Sequence, residues 1–131
     1  AERAGNETEP EMTSQNTSYI AQWMAQMRRG WLETCLLNVL AGEELHGYGL
    51  MLRLQDIPGL GISEGSLYPL LSRLRLQGLL AVRRIEESPD GPARKYYRLT
   101  ATGRARLAAM DDYYESLTKA VASLRRHPAK P

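Results

Sequence analysis

The chain has 131 residues, of which 43% are hydrophobic and 24% charged, and its net charge is +2. This composition fits one small domain with a modest core and requires no second independent domain. No apolar run approaches the roughly 20 residues that cross a bilayer, and residues 1–12 are acidic and polar where a secretion signal would be basic and then apolar. We therefore expect a soluble protein that is not exported and has no membrane partner.

The charge is distributed unevenly along the chain. The first eleven residues carry a net charge of −3, and the remainder carries +5. Between Ile62 and Arg106, nine basic residues stand against four acidic ones. Scattered basic residues are ordinarily a solvated surface, whereas a basic cluster also suits the phosphate backbone of DNA. The charge count alone does not distinguish a solvated surface from a DNA-binding surface, so the arrangement of these residues in the predicted fold must be considered.

The N-terminal part of the chain predicts an extension followed by helix. Residues 1–15 are polar, lack apolar periodicity and are expected to be disordered. From Asn16 or Thr17, either of which can cap a helix, apolar residues recur at helical spacing up to Trp31. Gly30 is a candidate boundary with a second, core helix, which runs to Ala41 and ends at Gly42.

Cys35 is the only cysteine of the chain and lies in the apolar run of this second helix. It therefore cannot form an internal disulfide. We expect a small core residue. The alternative is a redox-sensing thiol, which would require exposure and a lowered pKa.

The middle of the chain predicts a helix-turn-helix. A third helix of about ten residues begins within His46–Gly49 and stops at Pro58. The connector that follows is short and glycine-rich, and Ser63 can cap the next helix by accepting a hydrogen bond from the backbone of Ser66. Gly78 ends this helix. Its buried stripe consists of Leu67, Leu70, Leu71 and Leu74.

A basic β-hairpin is predicted after this helix. Residues 80–85 alternate between apolar and polar, and Lys95–Thr100 is rich in strand-forming residues. Between them, Glu87–Ala93 is a turn sequence built around Asp90-Gly91. This two-stranded hairpin is the wing of a winged helix.

The C-terminal part predicts one long helix capped by Thr100, with a single apolar row at heptad spacing. The row consists of Leu107, Met110, Tyr114, Leu117, Val121 and Leu124. Such a row is narrower than the face that a helix buries in an ordinary core. We therefore predict a homodimer interface formed by this row together with Trp23 and Met27. A twofold dimer would read a palindromic DNA site with half-sites about 34 Å apart.

The predicted fold is thus mainly α, of the α+β type. Residues 16–100 form a winged helix-turn-helix domain with an extra N-terminal helix and a two-stranded wing. Residues 101–126 form a long C-terminal dimerisation helix, and residues 127–131 are a disordered tail.

The predicted DNA contacts lie on the second helix of the helix-turn-helix, which enters the major groove. Ser63, Ser66, Tyr68 and Arg73 lie in its N-terminal part and can donate hydrogen bonds to phosphates. Arg73 can alternatively read guanine. The opposing interpretation is that Tyr68 packs across the helix surface and Arg73 is merely solvated.

On the wing, Arg94 and Lys95 on one strand and Arg83 and Arg84 on the other can straddle a phosphate backbone. Intramolecular pairing can neutralise part of this charge. The acids available in the same hairpin are Glu86, Glu87 and Asp90. Arg94 and Lys95 are therefore the preferred contacts.

The sequence offers no basis for catalysis, for a metal site or for a cofactor. The only histidines are His46 and His127, and Cys35 has no partner at a useful spacing. We expect a protein that is not an enzyme.

Five segments carry a resemblance to a known family. They are Trp31-Leu-Glu-Thr-Cys-Leu-Leu37, His46-Gly-Tyr48, Ile62-Ser-Glu-Gly-Ser-Leu-Tyr-Pro69, Gly78-Leu79 and Arg94-Lys-Tyr-Tyr-Arg-Leu-Thr-Ala-Thr-Gly103. The sequence resembles the PadR family of bacterial transcriptional regulators, in its shorter subclass with one long C-terminal helix. The resemblance implies a cytoplasmic dimeric regulator, usually a repressor, that a small molecule releases from its operator. It also implies DNA-facing positions at Ser63, Ser66, Tyr68, Arg73, Arg94 and Lys95.

The helical segment before Gly30 departs from the family pattern. Members that bind flat aromatic compounds are said to do so near the dimer centre, so the resemblance makes Trp23, Trp31 and Tyr114 the candidates for an aromatic or hydrophobic effector. The alternative is that these aromatic residues are plain core. A different function also stays open, that of a winged-helix module for protein association whose basic residues serve only solubility.

Overall fold

The computed structural model describes residues 13–126. Within this range, four helices and three strands follow one another in the order α1 (Ser14–Gly42), β1 (Leu45–His46), α2 (Gly47–Leu54), α3 (Glu64–Leu76), β2 (Leu80–Ser88), β3 (Gly91–Leu99) and α4 (Ala101–Arg126). The predicted class, mainly helical with a winged helix-turn-helix and a long C-terminal helix, is confirmed. The extension predicted for residues 1–15 falls mostly outside the described residues, and the predicted tail, 127–131, lies entirely outside them.

The first helix is continuous where the sequence suggested a boundary. Thr13 caps α1 by accepting a hydrogen bond from the backbone of Asn16, so the helix begins slightly earlier than predicted. Gly30 lies inside it, and Thr34 donates a hydrogen bond to the Gly30 carbonyl oxygen. A glycine costs only about 1 kcal/mol in a helix, which the packing of the neighbouring turns can outweigh.

The helix-turn-helix consists of α2, a glycine-containing turn and α3. The helix α2 ends at Leu54, earlier than expected, because residues 55–60 form successive tight turns before α3. Two glycines of this connector, Gly59 and Gly61, have φ angles of 79° and 63°. An L side chain rarely adopts these angles, so the connector requires glycine at both positions.

The end of α3 has a C-terminal capping motif that directs the chain into the sheet. Gly78 has a φ of 79°, and its backbone N–H donates to the carbonyl of Arg75. The N–H of Leu79 donates to the carbonyl of Leu74, and both of these leucines are buried. This is the Schellman motif, in which a left-handed glycine satisfies the last carbonyls of a helix.

The sheet has three antiparallel strands in the order β1-β3-β2, one more than the predicted two-stranded wing. The extra strand β1 pairs with β3 at Leu45↔Tyr97 and His46↔Tyr96. In the hairpin, Ser88 pairs with Gly91, so the two-residue turn is Pro89-Asp90 rather than Asp90-Gly91. The pairing of β2 with β3 has two register shifts, between Val82 and Arg84 and between Glu86 and Ser88. Irregularities of this kind bend a strand and increase its twist.

The core of the described residues is built from leucine, and α1, α2, α3, β2, β3 and α4 all contribute to it. Its buried members are Leu36, Leu37, Leu40, Leu50, Leu54, Leu60, Leu67, Leu70, Leu71, Leu74, Leu79, Leu80, Leu99 and Leu107. Cys35 packs against this cluster, and burial raises the pKa of its thiol. A raised pKa disfavours the thiolate, so the environment favours the packing role over the redox role.

The long helix α4 is fixed at its start. Thr100 accepts a hydrogen bond from the backbone of Gly103 and donates one to the carbonyl of Gly78. From there α4 runs antiparallel to α1, since Arg104 contacts Ala41, Asp111 contacts Asn38 and Tyr114 contacts Trp31. No helix within residues 13–126 has the length and apolar character that crossing a membrane requires.

Candidate nucleic-acid interface

The helix α3 buries Leu67, Leu70, Leu71 and Leu74 and presents the opposite face to solvent. The row directly opposite the buried leucines consists of Gly65, Pro69, Ser72 and Leu76, and Leu76 is 89% exposed, while the exposed charged residues Glu64, Arg73 and Arg75 lie to either side of this row. This row carries no charged side chain. Charged contacts to DNA phosphates would therefore come from residues that flank it.

Ser63 and Ser66 form a capping box at the start of α3. The Ser63 hydroxyl oxygen accepts from the backbone N–H of Ser66 at 3.2 Å, and the Ser66 hydroxyl oxygen accepts from the backbone N–H of Ser63 at 3.0 Å. The cap predicted from the sequence is confirmed, and it is reciprocal. Both hydroxyls thus already have partners within the helix start, which fixes where α3 begins.

Tyr68 lies across the beginning of α2. Its ring is 43% exposed, and a Cβ atom placed on Gly47 would stand 2.6 Å from Tyr68 Cε1. Real Cβ atoms essentially never show that distance, so any side chain at position 47 would force the Tyr68 ring to shift. Tyr68 thereby both packs against α2, as the opposing interpretation held, and keeps much of its surface accessible.

A groove of about 540 Å³ separates the wing from the two helices of the helix-turn-helix; we call it the wing–helix groove. Its lining residues are His46, Gly47, Tyr48, Tyr68, Ser88, Asp90, Gly91, Pro92, Ala93, Arg94, Lys95 and Tyr97. Three of the six predicted DNA contacts, Tyr68, Arg94 and Lys95, therefore line one groove. The other three lie outside it.

The basic residues of the wing differ in their pairing. Arg83 pairs with Glu44 at 3.4 Å, and Arg84 pairs with Glu86 at 2.7 Å while its guanidinium lies 3.9 Å from the centre of the Tyr96 ring. In contrast, neither Arg94 nor Lys95 has an acidic partner within residues 13–126. The unpaired charge of the wing thus lies on β3, where phosphate can reach it without first breaking an ion pair.

Arg73 is held on the other side of α3. Its Nη2 atom lies 2.8 Å from Oε1 of Glu33 on α1, and its Nη1 atom lies 3.4 Å from Oε1 of Gln77. The side chain is about half exposed. Arg73 is thus neither in the wing–helix groove nor merely solvated, as the alternative had it, because an acid already partly satisfies its guanidinium.

Two further residues of the wing–helix groove, His46 and Tyr48, were not predicted as site residues from the sequence. His46 and Tyr48 belong to the segment that was identified only as a helix start and as part of the family resemblance. His46 caps α2 by accepting a hydrogen bond at Nδ1 from the backbone of Gly49 at 3.1 Å. Tyr48 is 58% exposed and stacks on the His46 ring. A histidine and a tyrosine two residues apart at a helix start were the available signal.

A second groove, of about 750 Å³, lies between α1 and α4; we call it the α1–α4 groove. Its lining residues are Trp23, Met27, Gly30, Trp31, Glu33, Thr34, Ala109, Met110, Tyr113, Tyr114, Leu117, Thr118, Val121 and Arg125. Trp31 and Tyr114 meet edge to face at 4.6 Å between ring centres. All three candidate effector residues, Trp23, Trp31 and Tyr114, therefore line this groove.

The predicted interface residues divide into two groups. Leu107 is only 6% exposed and belongs to the core, because the start of α4 lies against the turn after α3. Met110 is half-buried and packs against the same core. The rest of the row and its predicted partners on α1 are exposed, with Trp23 at 50% and Leu117 at 49%. The exposed part of the row thus begins at Tyr114 rather than at Leu107.

Comparisons with known proteins agree with this architecture. Residues 36–109 match the model of the transcriptional regulator PadR-like family. A transcriptional regulator of Mycobacterium tuberculosis is 35% identical over 106 residues, which cover 81% of this chain and 96% of that protein.

Solved structures give the same result. A PadR family transcriptional regulator from Eggerthella lenta superposes with a TM-score of 0.70 at 31% identity, covering 88% of this chain and 99% of that one. A PadR-like transcriptional regulator from Bacillus cereus superposes with a TM-score of 0.68 at 33% identity, covering 80% and 99%. The chain belongs to the PadR-like family of transcriptional regulators.

Proposed function

We propose that the protein is a dimeric repressor that binds a palindromic operator through α3 and the wing, and that a small aromatic or hydrophobic ligand in the α1–α4 groove releases it. The observation that carries the DNA-binding part is the wing–helix groove. There Tyr68 lies beside Arg94 and Lys95, two cations without an acidic partner in the described part of the chain. Membership of a family of transcriptional regulators supports the same conclusion.

The six predicted DNA contacts have different roles in this proposal. Arg94 and Lys95 bind phosphates, and the Tyr68 hydroxyl donates to the backbone or to a base edge. Ser63 and Ser66 act mainly through the cap that fixes the start of α3. Arg73 joins the interface only when its ion pair with Glu33 opens.

The dimer is supported by the apolar surface that α1 and α4 leave uncovered. The exposed apolar side chains on these two helices are Tyr19, Ile20, Trp23, Met27, Tyr113, Tyr114, Leu117, Val121 and Leu124. A contiguous apolar surface of this kind marks an interaction site. A second copy of the chain provides the same face, as a twofold interface requires.

The effector is supported by the shape and composition of the α1–α4 groove. Its volume lies within the range of ligand sites, and its aromatic edges suit a flat aromatic molecule. Glu33 and Arg125 place one charge of each sign on its lining. A second copy would close the open side of the groove and thus hold the ligand between subunits.

The experiment that tests this proposal is selection of bound sequences from random duplex DNA, followed by titration of the selected fragment. We expect inverted half-sites with centres about 34 Å apart and a preference of at least 10³-fold over random duplex at about 150 mM salt. Tyr68→Ala should weaken operator binding by roughly 1–3 kcal/mol. Tyr68→Phe, which lacks only the hydroxyl, separates hydrogen bonding from packing.

Other results would contradict the proposal. Binding to the selected fragment that is no tighter than to random duplex would favour the protein-association module. Transcription from a promoter that overlaps the selected site should fall when the protein is added, and a rise would identify an activator.

A further inference from the structure

The His46 side chain presents a single oriented proton donor. Its Nδ1 atom accepts the hydrogen bond from the backbone of Gly49, and an accepting imidazole nitrogen carries no proton. The proton of the neutral ring therefore lies on Nε2, which has no hydrogen-bond partner within residues 13–126. Burial lowers the pKa of His46, Arg94 lowers it further and Glu86 raises it, so the ring is held neutral.

The Tyr48 ring stacks on the His46 ring, and this contact restrains the position of Tyr48. The rings of His46 and Tyr48 are parallel within 4°, with their centres 6.4 Å apart. The Tyr96 ring also packs against His46, nearly perpendicular to it, with the ring centres 5.0 Å apart. The Tyr48 hydroxyl has no hydrogen-bond partner in the described part of the chain, and Tyr48 is 58% exposed, so a ligand can reach the hydroxyl. Two neutral donors thus line the wing–helix groove in positions that stacking restrains.

The surroundings indicate what these donors meet. Arg94 and Lys95 line the same groove, with Asp90 at the wing tip as the one acid on its lining. The first helix of a helix-turn-helix crosses the sugar–phosphate backbone, whereas the second reads base edges. Side chains at the start of α2 therefore meet phosphate oxygens, which accept hydrogen bonds and donate none.

We propose that His46 Nε2 and the Tyr48 hydroxyl donate hydrogen bonds to one phosphate of bound duplex DNA, beside the charged contacts of the wing. This inference rests on the proposed DNA-binding function and assigns two further residues to the same surface. The contact is independent of sequence, so it strengthens binding to operator and to random duplex by a similar factor. Because both groups are neutral, the contact releases no counterion and leaves the salt dependence unchanged.

Two variants test the contact while preserving the local structure. Tyr48→Phe retains the stacked ring and lacks the hydroxyl. His46→Asn retains an oxygen that can cap α2 and lacks the Nε2 donor. We expect each variant to bind both the selected operator and a scrambled duplex roughly tenfold more weakly, with the salt slope of the unmodified protein. Lys95→Gln is the comparison in which a charged contact is lost. Its slope of log affinity against log salt should become shallower by about 0.9.

A scan with single methylphosphonates, which remove the charge and weaken the acceptor at one phosphate, locates the contact. At one position per half-site, the methylphosphonate should weaken binding of the unmodified protein. At the same position it should not weaken binding of Tyr48→Phe any further, because that variant already lacks the contact. Unchanged affinity of both variants for both duplexes would overturn the inference, and so would a loss confined to the operator. A failure of the proposed function can be distinguished from a failure of this inference. In that case the unmodified protein itself would bind the operator and the scrambled duplex with equal affinity.

Discussion

Glu33 and Arg73 join the α1–α4 groove to the recognition helix. Glu33 lines the groove, and its Oε1 atom lies 2.8 Å from Nη2 of Arg73 on α3. The Glu33 side chain is 22% exposed and that of Arg73 is 49% exposed, so the pair is accessible to water on the Arg73 side. One carboxylate thus touches both the candidate ligand site and the helix that is proposed to read DNA.

Glu33→Ala should release Arg73 toward DNA. The freed guanidinium gains one phosphate contact, so the slope of log affinity against log salt should steepen by about 0.9. The free energy of unfolding should change by less than about 1 kcal/mol, because the pair is partly exposed. Fluorescence anisotropy at several salt concentrations and urea unfolding measure the two quantities.

The matched control for this change is Glu115→Ala, which breaks the exposed pair with Lys119 on α4. It removes the same charge at a distance from the helix-turn-helix, and its salt slope should equal that of the unmodified protein. An unchanged slope in Glu33→Ala would mean that Arg73 does not reach phosphate even when it is free.

Local signals in the sequence were sufficient to predict most of the fold. The leucine stripe of α3, its Ser63 cap and Gly78 were recognised because helix periodicity and capping involve residues close in sequence. The strand β1 has only two residues, too few to show a pattern, and it exists because β3 offers it a free edge. Gly30 was a candidate boundary, yet α1 runs through it because packing outweighs a modest propensity cost.

The candidate DNA site was harder to predict, for a related reason. The pair Arg84–Glu86 joins residues two apart, and the sequence already suggested that acids of the hairpin neutralise some of its arginines. The pair Arg73–Glu33 joins residues forty apart, and only the packing of α3 against α1 brings them together. Tyr48 was missed because its exposure depends on how α2 meets the wing.

Gly103→Ala should destabilise the protein. A Cβ atom at this position would stand 2.2 Å from the carbonyl oxygen of Leu79, so the start of α4 would have to move away from the turn after α3. Overpacking of this kind costs typically 1–3 kcal/mol. Gly30→Ala is the control, since a Cβ there meets nothing within 4 Å, and it should stabilise α1 by roughly 0.5–1 kcal/mol.

Urea unfolding followed by circular dichroism measures both glycine variants. Equal stability of Gly103→Ala and the unmodified protein would show that the backbone contact relaxes without cost. Destabilisation by Gly30→Ala would contradict a regular helix through position 30.

The stability of the protein should fall as the pH is lowered through the range in which His46 titrates. Burial lowers the pKa of His46 in the folded state below its ordinary value of 6.5. Well above pH 6.5 the ring is neutral in both states and the stabilisation is complete. As the pH falls below that value, the unfolded chain takes up the proton first, and the loss levels off below the folded-state pKa.

His46→Asn is the control for this dependence, because asparagine can cap α2 and does not titrate. We expect the drop in unfolding midpoint between pH 7.5 and 5.5, about one unit on either side of the ordinary histidine pKa, to be smaller in His46→Asn. His127 is common to both proteins, so its titration cancels in the comparison. Equal drops would mean that the Gly49 hydrogen bond does not depend on a neutral ring.

Leu117→Glu should convert the protein to a monomer. Leu117 is 49% exposed in the single subunit, so the change leaves the core intact, whereas an unpaired carboxylate in an apolar interface costs several kcal/mol. Leu76→Glu, at an 89% exposed leucine on α3, should remain dimeric. Sedimentation equilibrium at micromolar concentration distinguishes them, and a monomeric unmodified protein would refute the dimer.

Ligand binding and DNA binding should be coupled through the α1–α4 groove. The chain has two tryptophans, Trp23 and Trp31, and both line this groove, so intrinsic fluorescence reports on its occupancy. In a panel of planar aromatic compounds that do not themselves bind DNA, those that quench tryptophan should weaken operator binding. Linkage requires the operator to weaken the affinity for the same compound by the same factor. Glu33→Ala should reduce that factor if the Glu33–Arg73 pair transmits the coupling, and an unchanged factor would locate the transmission elsewhere.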